Sequence, residues 1–144
     1  MKKNLVRGTL VLFCCALFIV LSGCDRGGAP AAAKQRHSRE VPPRAAWELM
    51  QNKKDLLIID VRSPHELRHG AIEHSRLIPL NDIFRQKFSL PQDRPLLLVC
   101  AVGGRSSAAA FVMAQMGFSE LYNLQGGIAA WKQAGLPLEY PAVP

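Results

Sequence analysis

The chain has 144 residues, 49% of them hydrophobic and 20% charged, and a formal net charge of +7. At roughly 100–200 residues per domain, that length leaves room for one folded domain. The basic excess forms no stripe interleaved with aromatic residues, which excludes a nucleic-acid partner, and no dinucleotide fingerprint, phosphate loop or haem attachment motif occurs, so no cofactor is expected.

At the start of the chain, Lys2, Lys3 and Arg7 form a basic region, and Thr9 to Leu21 is a nearly unbroken apolar run. A spanning helix needs about 20 apolar residues, so this shorter run reads as the core of a signal peptide. It ends in Leu21-Ser22-Gly23-Cys24, which resembles the lipobox of bacterial lipoproteins. The resemblance implies cleavage before Cys24 and acylation of its thiol. Residues 1–23 are then a lipoprotein signal peptide, residues 24–40 a lipid-anchored flexible linker and residues 41–144 the folded domain. Asp25 resembles the inner-membrane retention signal of Gram-negative lipoproteins, which implies a cell-membrane location facing the periplasm. Two or more acyl chains suffice for stable anchoring.

Processing also simplifies the cysteines. Cys14 and Cys15 leave with the signal and Cys24 takes the lipid, so Cys100 is left without a disulfide partner in its own chain. Setting aside Lys2, Lys3 and Arg7 leaves 15 basic residues against 11 acidic, about +4. Part of that excess is Lys34, Arg36 and Arg39 of the linker, where attraction to an anionic membrane surface is a natural use. The linker itself, rich in Gly, Ala, Pro and polar residues from Asp25 to about Glu40, has no large apolar side chain with which to order itself.

The remainder alternates helices and strands. Pro42-Pro43 open a helix over residues 44–50, and Leu56-Leu57-Ile58-Ile59 is the continuous apolar run of a strand covered on both faces. Ser63-Pro64-His65-Glu66 reads as an N-cap, a proline at the first helical position and an acidic first turn, with Gly70 ending the helix. A short strand at Leu77-Ile78-Pro79-Leu80 precedes an amphipathic helix around Ile83, Phe84 and Phe88. Pro95 opens a second buried strand, Leu96-Leu97-Leu98-Val99. Ser106 to Met116 is a helix stopped by Gly117, Glu120-Leu121-Tyr122 a third strand, and Gly126-Gly127 introduce a last helix carrying Trp131. Such alternation predicts an α/β fold, a small parallel β-sheet with helices on both faces. Trp47, Phe88, Phe111 and Trp131 are read as core residues.

The chemistry concentrates where the strand 96–99 delivers Cys100 at its carboxyl end, the place where open α/β sheets bind ligands. Ala101-Val102-Gly103-Gly104-Arg105 follow, and then a helix from Ser106. Glycines let successive N–H groups converge on one point, and the helix directs its positive end there. With Arg105 as a nearby fixed positive charge, all three favour thiolate over thiol, so the Cys100 pKa is expected below its ordinary value.

Four motifs in order then resemble the rhodanese family. Leu57-Ile58-Ile59-Asp60-Val61-Arg62 is similar to its strand ending in Asp-Val-Arg, and Ser63 to Leu67 with Gly70-Ala71-Ile72 to its next helix and exit. Cys100 to Ser106 resembles its active-site loop, and Leu124-Gln125-Gly126-Gly127 with Ala130-Trp131 its closing signature. The resemblance implies a thiosulfate sulfurtransferase-like enzyme. Catalytic Cys100 takes a sulfane sulfur from thiosulfate or a persulfide, holds it as a persulfide in the loop of Ala101, Val102, Gly103, Gly104 and Arg105, and passes it to cyanide or a thiol. A thioredoxin-like protein is a candidate partner and the chain is expected to be a monomer. Asp60, Arg62 and Ser106 have supporting roles. The apolar Ala101 and Val102 stand where thiosulfate-using members often carry a basic side chain, which leaves Arg105 as the loop's one cation for a dianionic donor.

Two other readings compete. A tyrosine-phosphatase-like or arsenate-reductase-like enzyme also uses cysteine in an N–H-lined loop, but with five residues between Cys and Arg; here there are four. A non-catalytic rhodanese binding module usually lacks the cysteine. His65 and His69 are four apart, a ligand spacing, but no third ligand is apparent and no metal site is expected.

Overall fold

The computed structural model describes residues 38–141; the signal-peptide, lipidation and most of the linker expectations, Cys24 included, lie outside these residues. Five strands form one parallel sheet in the order β1-β5-β4-β2-β3, with β1 at Arg39–Val41, β2 at Leu57–Asp60, β3 at Arg76–Leu77, β4 at Leu96–Val99 and β5 at Leu121–Leu124. The central β4 is buried along its whole length, as a strand covered on both faces must be.

Alternation along the strands sends side chains to two separate cores. Ile59, Leu96 and Leu98 face α2 (Leu80–Phe84) and α3 (Gly104–Gln115), packing with Ile83, Ala109, Ala110 and Met113. Ile58, Leu97 and Val99 face α1 (Pro43–Asn52) and α4 (Gly127–Gln133), packing with Ala46, Ile128 and Trp131. Helices therefore cover both faces. Trp131 is fully buried; its ring meets Trp47 edge-on at 6.0 Å and its Nε1 donates to Pro137 O at 2.9 Å. Full burial of each such Leu or Ile stabilises by about 1.5–3 kcal/mol.

Several local expectations shift. Arg39 and Glu40, assigned to the linker, belong to β1, where Arg39 pairs with Tyr122 and Glu40 with Asn123; an edge strand needs no apolar run. The segment after Ser63 is a six-residue 3₁₀ helix, Pro64–His69. β3 is only Arg76–Leu77, because α2 already begins at Leu80 after Pro79. α2 ends at Phe84, followed by Gln86 at φ 55, so Phe88 lies beyond the helix, packed 6.2 Å from Phe118. Phe84 is 51% exposed.

Phe111 is corrected more plainly. It was expected in the core and is 46% exposed. Its helix turns Ser106, Ala109, Ala110 and Met113 inward, so the outer face takes Ser107, Ala108 and Phe111. An alanine-rich helix carries too weak an apolar stripe to show which face is which.

The connections after β2 and β4 leave in opposite directions, to β3 on one side and β5 on the other. A crevice opens at the carboxyl ends of such neighbours. Cys100 follows β4 and Arg62 follows β2, so both stand at this point.

Candidate active site

Cys100 is buried, with 1% of its surface exposed. Its Sγ accepts the Gly103 N–H at 3.1 Å and the Ser106 hydroxyl at 3.3 Å. Burial alone raises a thiol's pKa, but the hydroxyl of Ser106 and the backbone N–H groups of Ser106, Val102 and Gly103 outweigh it. The thiol titrates below its ordinary value. The direction agrees with the sequence reading; the cause is hydrogen bonding to sulfur more than any nearby charge.

The loop's backbone explains how those N–H groups come to converge. Gly103 sits at φ 96, left-handed, and precedes the first residue of α3, a conformation glycine adopts without strain. Its carbonyl accepts from Ser107 N at 3.0 Å and Asn123 Nδ2 at 3.2 Å, and lies 3.0 Å from Ser106 Oγ, whose single proton it shares with Cys100 Sγ. The carbonyls of Cys100 and Ala101 turn the other way and accept from Ile128 N at 2.9 Å and Ala129 N at 3.1 Å. The start of α4 is thus sewn to the back of the loop. Gly127, at φ 58, has no room for a side chain: a Cβ there would lie 2.3 Å from Cys100 O and 2.6 Å from Ala101 C. This is the physical role of the closing Gly126-Gly127 motif.

Asp60 and Arg62 form a buried ion pair. Arg62 Nη2 donates to Asp60 Oδ2 at 2.6 Å and Nε to Oδ1 at 2.9 Å, while Arg62 N caps the same carboxylate at 3.0 Å. Arg62 Nη2 also donates to Gly70 O at 2.9 Å, tying the carboxyl end of β2 to the far end of the 3₁₀ helix. The pair holds the end of β2 against the end of the 3₁₀ helix and makes no hydrogen bond to Cys100.

Arg105 departs from expectation. Its guanidinium is held two-pronged by Glu66, Nη1 to Oε2 at 2.8 Å and Nη2 to Oε1 at 2.7 Å. Glu66 also accepts from Ser63 N at 3.1 Å and Ser63 Oγ at 2.6 Å. The Arg105 bond, ahead of these, holds the Glu66 carboxyl well below the usual carboxylate range, against the upward push of burial. The loop's one cation is therefore already neutralised. Val102 is 70% exposed at the loop surface, Ala101 half-buried and Gly104 exposed.

Of the residues the sequence pointed to, Gly103 and Ser106 meet Cys100 at its sulfur, while Asp60 and Arg62, expected to bond neighbouring groups near the loop, bond each other and Gly70 O at the end of β2. Sequence reasoning missed Glu66 as the partner of Arg105. It also missed Asn123, whose Nδ2 bridges Gly103 O and both carboxylate oxygens of Glu40 at 2.9 and 3.1 Å. The polar Asn123 inside an otherwise apolar strand was a signal available in the sequence. His65 and His69 are exposed on the 3₁₀ helix, and no group of three or more metal-ligating side chains occurs among the described residues.

Residues 43–134 match the model of the rhodanese-like domain family. The chain belongs to that family. A sulfurtransferase of Allochromatium vinosum is 31% identical to it over 102 residues, 71% of this chain and 95% of that protein. The thiosulfate sulfurtransferase GlpE of Stutzerimonas stutzeri is 33% identical over 94 residues, 65% of this chain and 84% of that protein. Among solved structures, the rhodanese-related protein of Thermoplasma volcanium superposes with a TM-score of 0.64 at 30% identity, covering 72% of this chain and 99% of that one. Family membership and the sulfurtransferase relatives support a sulfurtransferase-type enzyme in general terms.

Proposed function

We propose that this rhodanese-family chain moves a sulfane sulfur through a persulfide on Cys100. With thiosulfate, the Cys100 thiolate attacks the outer sulfur, the sulfur–sulfur bond of the donor breaks and sulfite leaves with the electron pair. The Cys100 persulfide then surrenders its outer sulfur to cyanide or to a thiol, and Cys100 returns as thiolate. A persulfide donor follows the same course with a thiolate leaving. Ala101, Val102, Gly103, Gly104 and Arg105 form the binding loop, with Asp60, Arg62 and Ser106 in support.

The observation that carries this reading is the sulfur of Cys100 receiving the Gly103 N–H and the Ser106 hydroxyl at the head of α3. Groups fixed in advance around an anionic sulfur stabilise thiolate and persulfide alike. Four residues separate Cys100 from Arg105, and Arg105 is turned to Glu66; a phosphatase loop instead needs a longer span and a guanidinium for phosphoryl oxygens.

The lipobox-like Leu21 to Cys24 and the following Asp25 support an extension of the proposal. Residues 1–23 are a lipoprotein signal peptide, Cys24 is the lipidated residue, and a linker reaching to β1 holds the domain on the periplasmic side of the inner membrane. There it works as a monomer on small donors and on thiol acceptors, a thioredoxin-like protein among them.

The test is mass spectrometry of the full chain purified from native membranes, before and after incubation with thiosulfate. One extra sulfur on Cys100 and acyl groups on Cys24 are expected, and Cys100→Ser should transfer no sulfur to cyanide. Unchanged transfer by that variant overturns the catalytic reading; an unmodified Cys24 overturns the anchoring.

A further inference from the structure

We infer that Glu66 sets donor preference by neutralising Arg105, so that the site favours donors of low charge, a monoanionic thiosulfonate or a neutral hydropersulfide, over the thiosulfate dianion. The inference rests on the sulfur-transfer reading above and assigns Glu66 as a specificity-determining residue within it.

The loop from Cys100 to Ser106 contains one cation, Arg105. Each terminal nitrogen of that guanidinium donates one N–H to Glu66, at 2.7 and 2.8 Å. Such a two-pronged pair is geometrically fixed as well as charge-neutral. Glu66 cannot readily swing away, because the Ser63 N–H and hydroxyl hold the same carboxylate at the start of the 3₁₀ helix. The Arg105 side chain is nevertheless 39% exposed, so it stands at the surface of the loop with its charge cancelled. The rest of the loop surface is Val102, 70% exposed, with Ala101 and Gly104 beside it.

A dianion entering this site meets the N–H groups that already hold the thiolate, and no uncompensated positive charge on the loop. A donor with one fewer negative charge gives up less hydration on entry and meets an apolar rim that suits a carbon substituent. Both classes of donor load Cys100 by the same balanced step. Thiolate attacks the outer sulfur, the donor's sulfur–sulfur bond breaks, and sulfite, a sulfinate or a thiolate leaves with the electron pair.

The experiment measures the first half-reaction alone: the rate at which the full chain gains sulfur on Cys100, read by mass spectrometry, with thiosulfate and with benzenethiosulfonate. Wild type is expected to load faster from benzenethiosulfonate. Its thiosulfate rate should change little between low and high salt, since no free loop cation steers the dianion. Glu66→Gln keeps a hydrogen-bonding side chain but frees the guanidinium charge. It should raise the thiosulfate rate roughly tenfold, the scale of one close charge near a surface, and the benzenethiosulfonate rate only about threefold, because a monoanion gains half the Coulomb energy of a dianion. In Glu66→Gln/Arg105→Gln the gain should vanish. A merely structural role for Glu66 lowers both rates together, and that result overturns the inference. So does a wild-type thiosulfate rate that falls steeply with salt, a measurement that stands even if the variants fail to fold. If wild type gains sulfur from neither donor, the sulfur-transfer reading itself fails.

Discussion

Two glycines with nearly the same backbone make a sharp experiment. Gly127 and Gly135 both have positive φ, 58 and 70, and alanine in that region costs roughly 1–2 kcal/mol wherever it occurs. Around Gly135 nothing lies within 4 Å of a new Cβ, whereas at Gly127 it would fall 2.3 Å from Cys100 O and 2.7 Å from Ala101 O. Restoring an ordinary contact of 3.4 Å means parting α4 from the loop by about 1 Å, a displacement on the order that costs 10²-fold in rate when it reaches a reacting group. The same movement strains the Ile128 N–H and Ala129 N–H bonds to the loop, each contributing about 0.5–1.5 kcal/mol. Gly127→Ala should therefore lose about 2–5 kcal/mol in urea unfolding and about 100-fold or more in sulfur loading of Cys100. Gly135→Ala should lose about 1–2 kcal/mol and keep its loading rate. Equal losses for the two variants in both assays would refute the claim that α4 fixes the loop.

Other outcomes follow from the same geometry. The Cys100 pKa is lowered, so alkylation of Cys100 followed against pH should reach half its maximal rate below the ordinary thiol value of about 8.5, and Ser106→Ala should move that midpoint upward. The sign for stability is that of any depressed acid: the extra stability is fully present above the ordinary thiol pKa and fades as pH falls through the lowered one. Arg62→Met strands the Asp60 carboxylate in the interior with only one backbone N–H of its former partners, and should cost about 3–5 kcal/mol in urea unfolding. Adding Asp60→Asn to it should recover part of that loss; a cost under about 1 kcal/mol for the single variant would mean the pair is not a buried ion pair in solution.

How far the sequence could be read depended on whether a feature was local. β2 and β4 were legible because a strand covered on both faces must be apolar at every position, and Leu57–Ile59 and Leu96–Val99 are. The position of Cys100 followed from β4, and its loop chemistry from the adjoining glycines and helix. β1 was illegible because an edge strand with partly exposed polar residues looks like linker until its partner β5 is known. Phe111 misled because hydrophobicity says which side chains prefer burial, while only packing says which helix face is turned inward. The Glu66–Arg105 pair spans 39 positions and Glu40–Asn123 spans 83. Glu66 was noticed only as an acidic residue in a first turn, since its distant partner is supplied by the topology.

The planarity of the peptide group turns those distant contacts into the chemistry of the site. In a trans peptide the carbonyl and the next residue's N–H point in opposite directions, so tying down one aims the other. Ile128 N–H fixes the Cys100 carbonyl and Ala129 N–H the Ala101 carbonyl, which aims the N–H groups of Ala101 and Val102 away from α4. On the opposite flank, Ser107 N–H and Asn123 Nδ2 converge on the Gly103 carbonyl and fix the N–H of Gly104 in turn. Groups that never touch sulfur thus determine where the anion-binding donors point. Side chains at 101 and 102 are left free of that task, so Ala101 and Val102 cost the thiolate nothing. Their absence of charge acts instead on what approaches it. Anion holding is then a property of the backbone and its rear supports. Donor choice belongs to the loop's outer side chains and to the Glu66 carboxylate that masks Arg105, and the two can change independently.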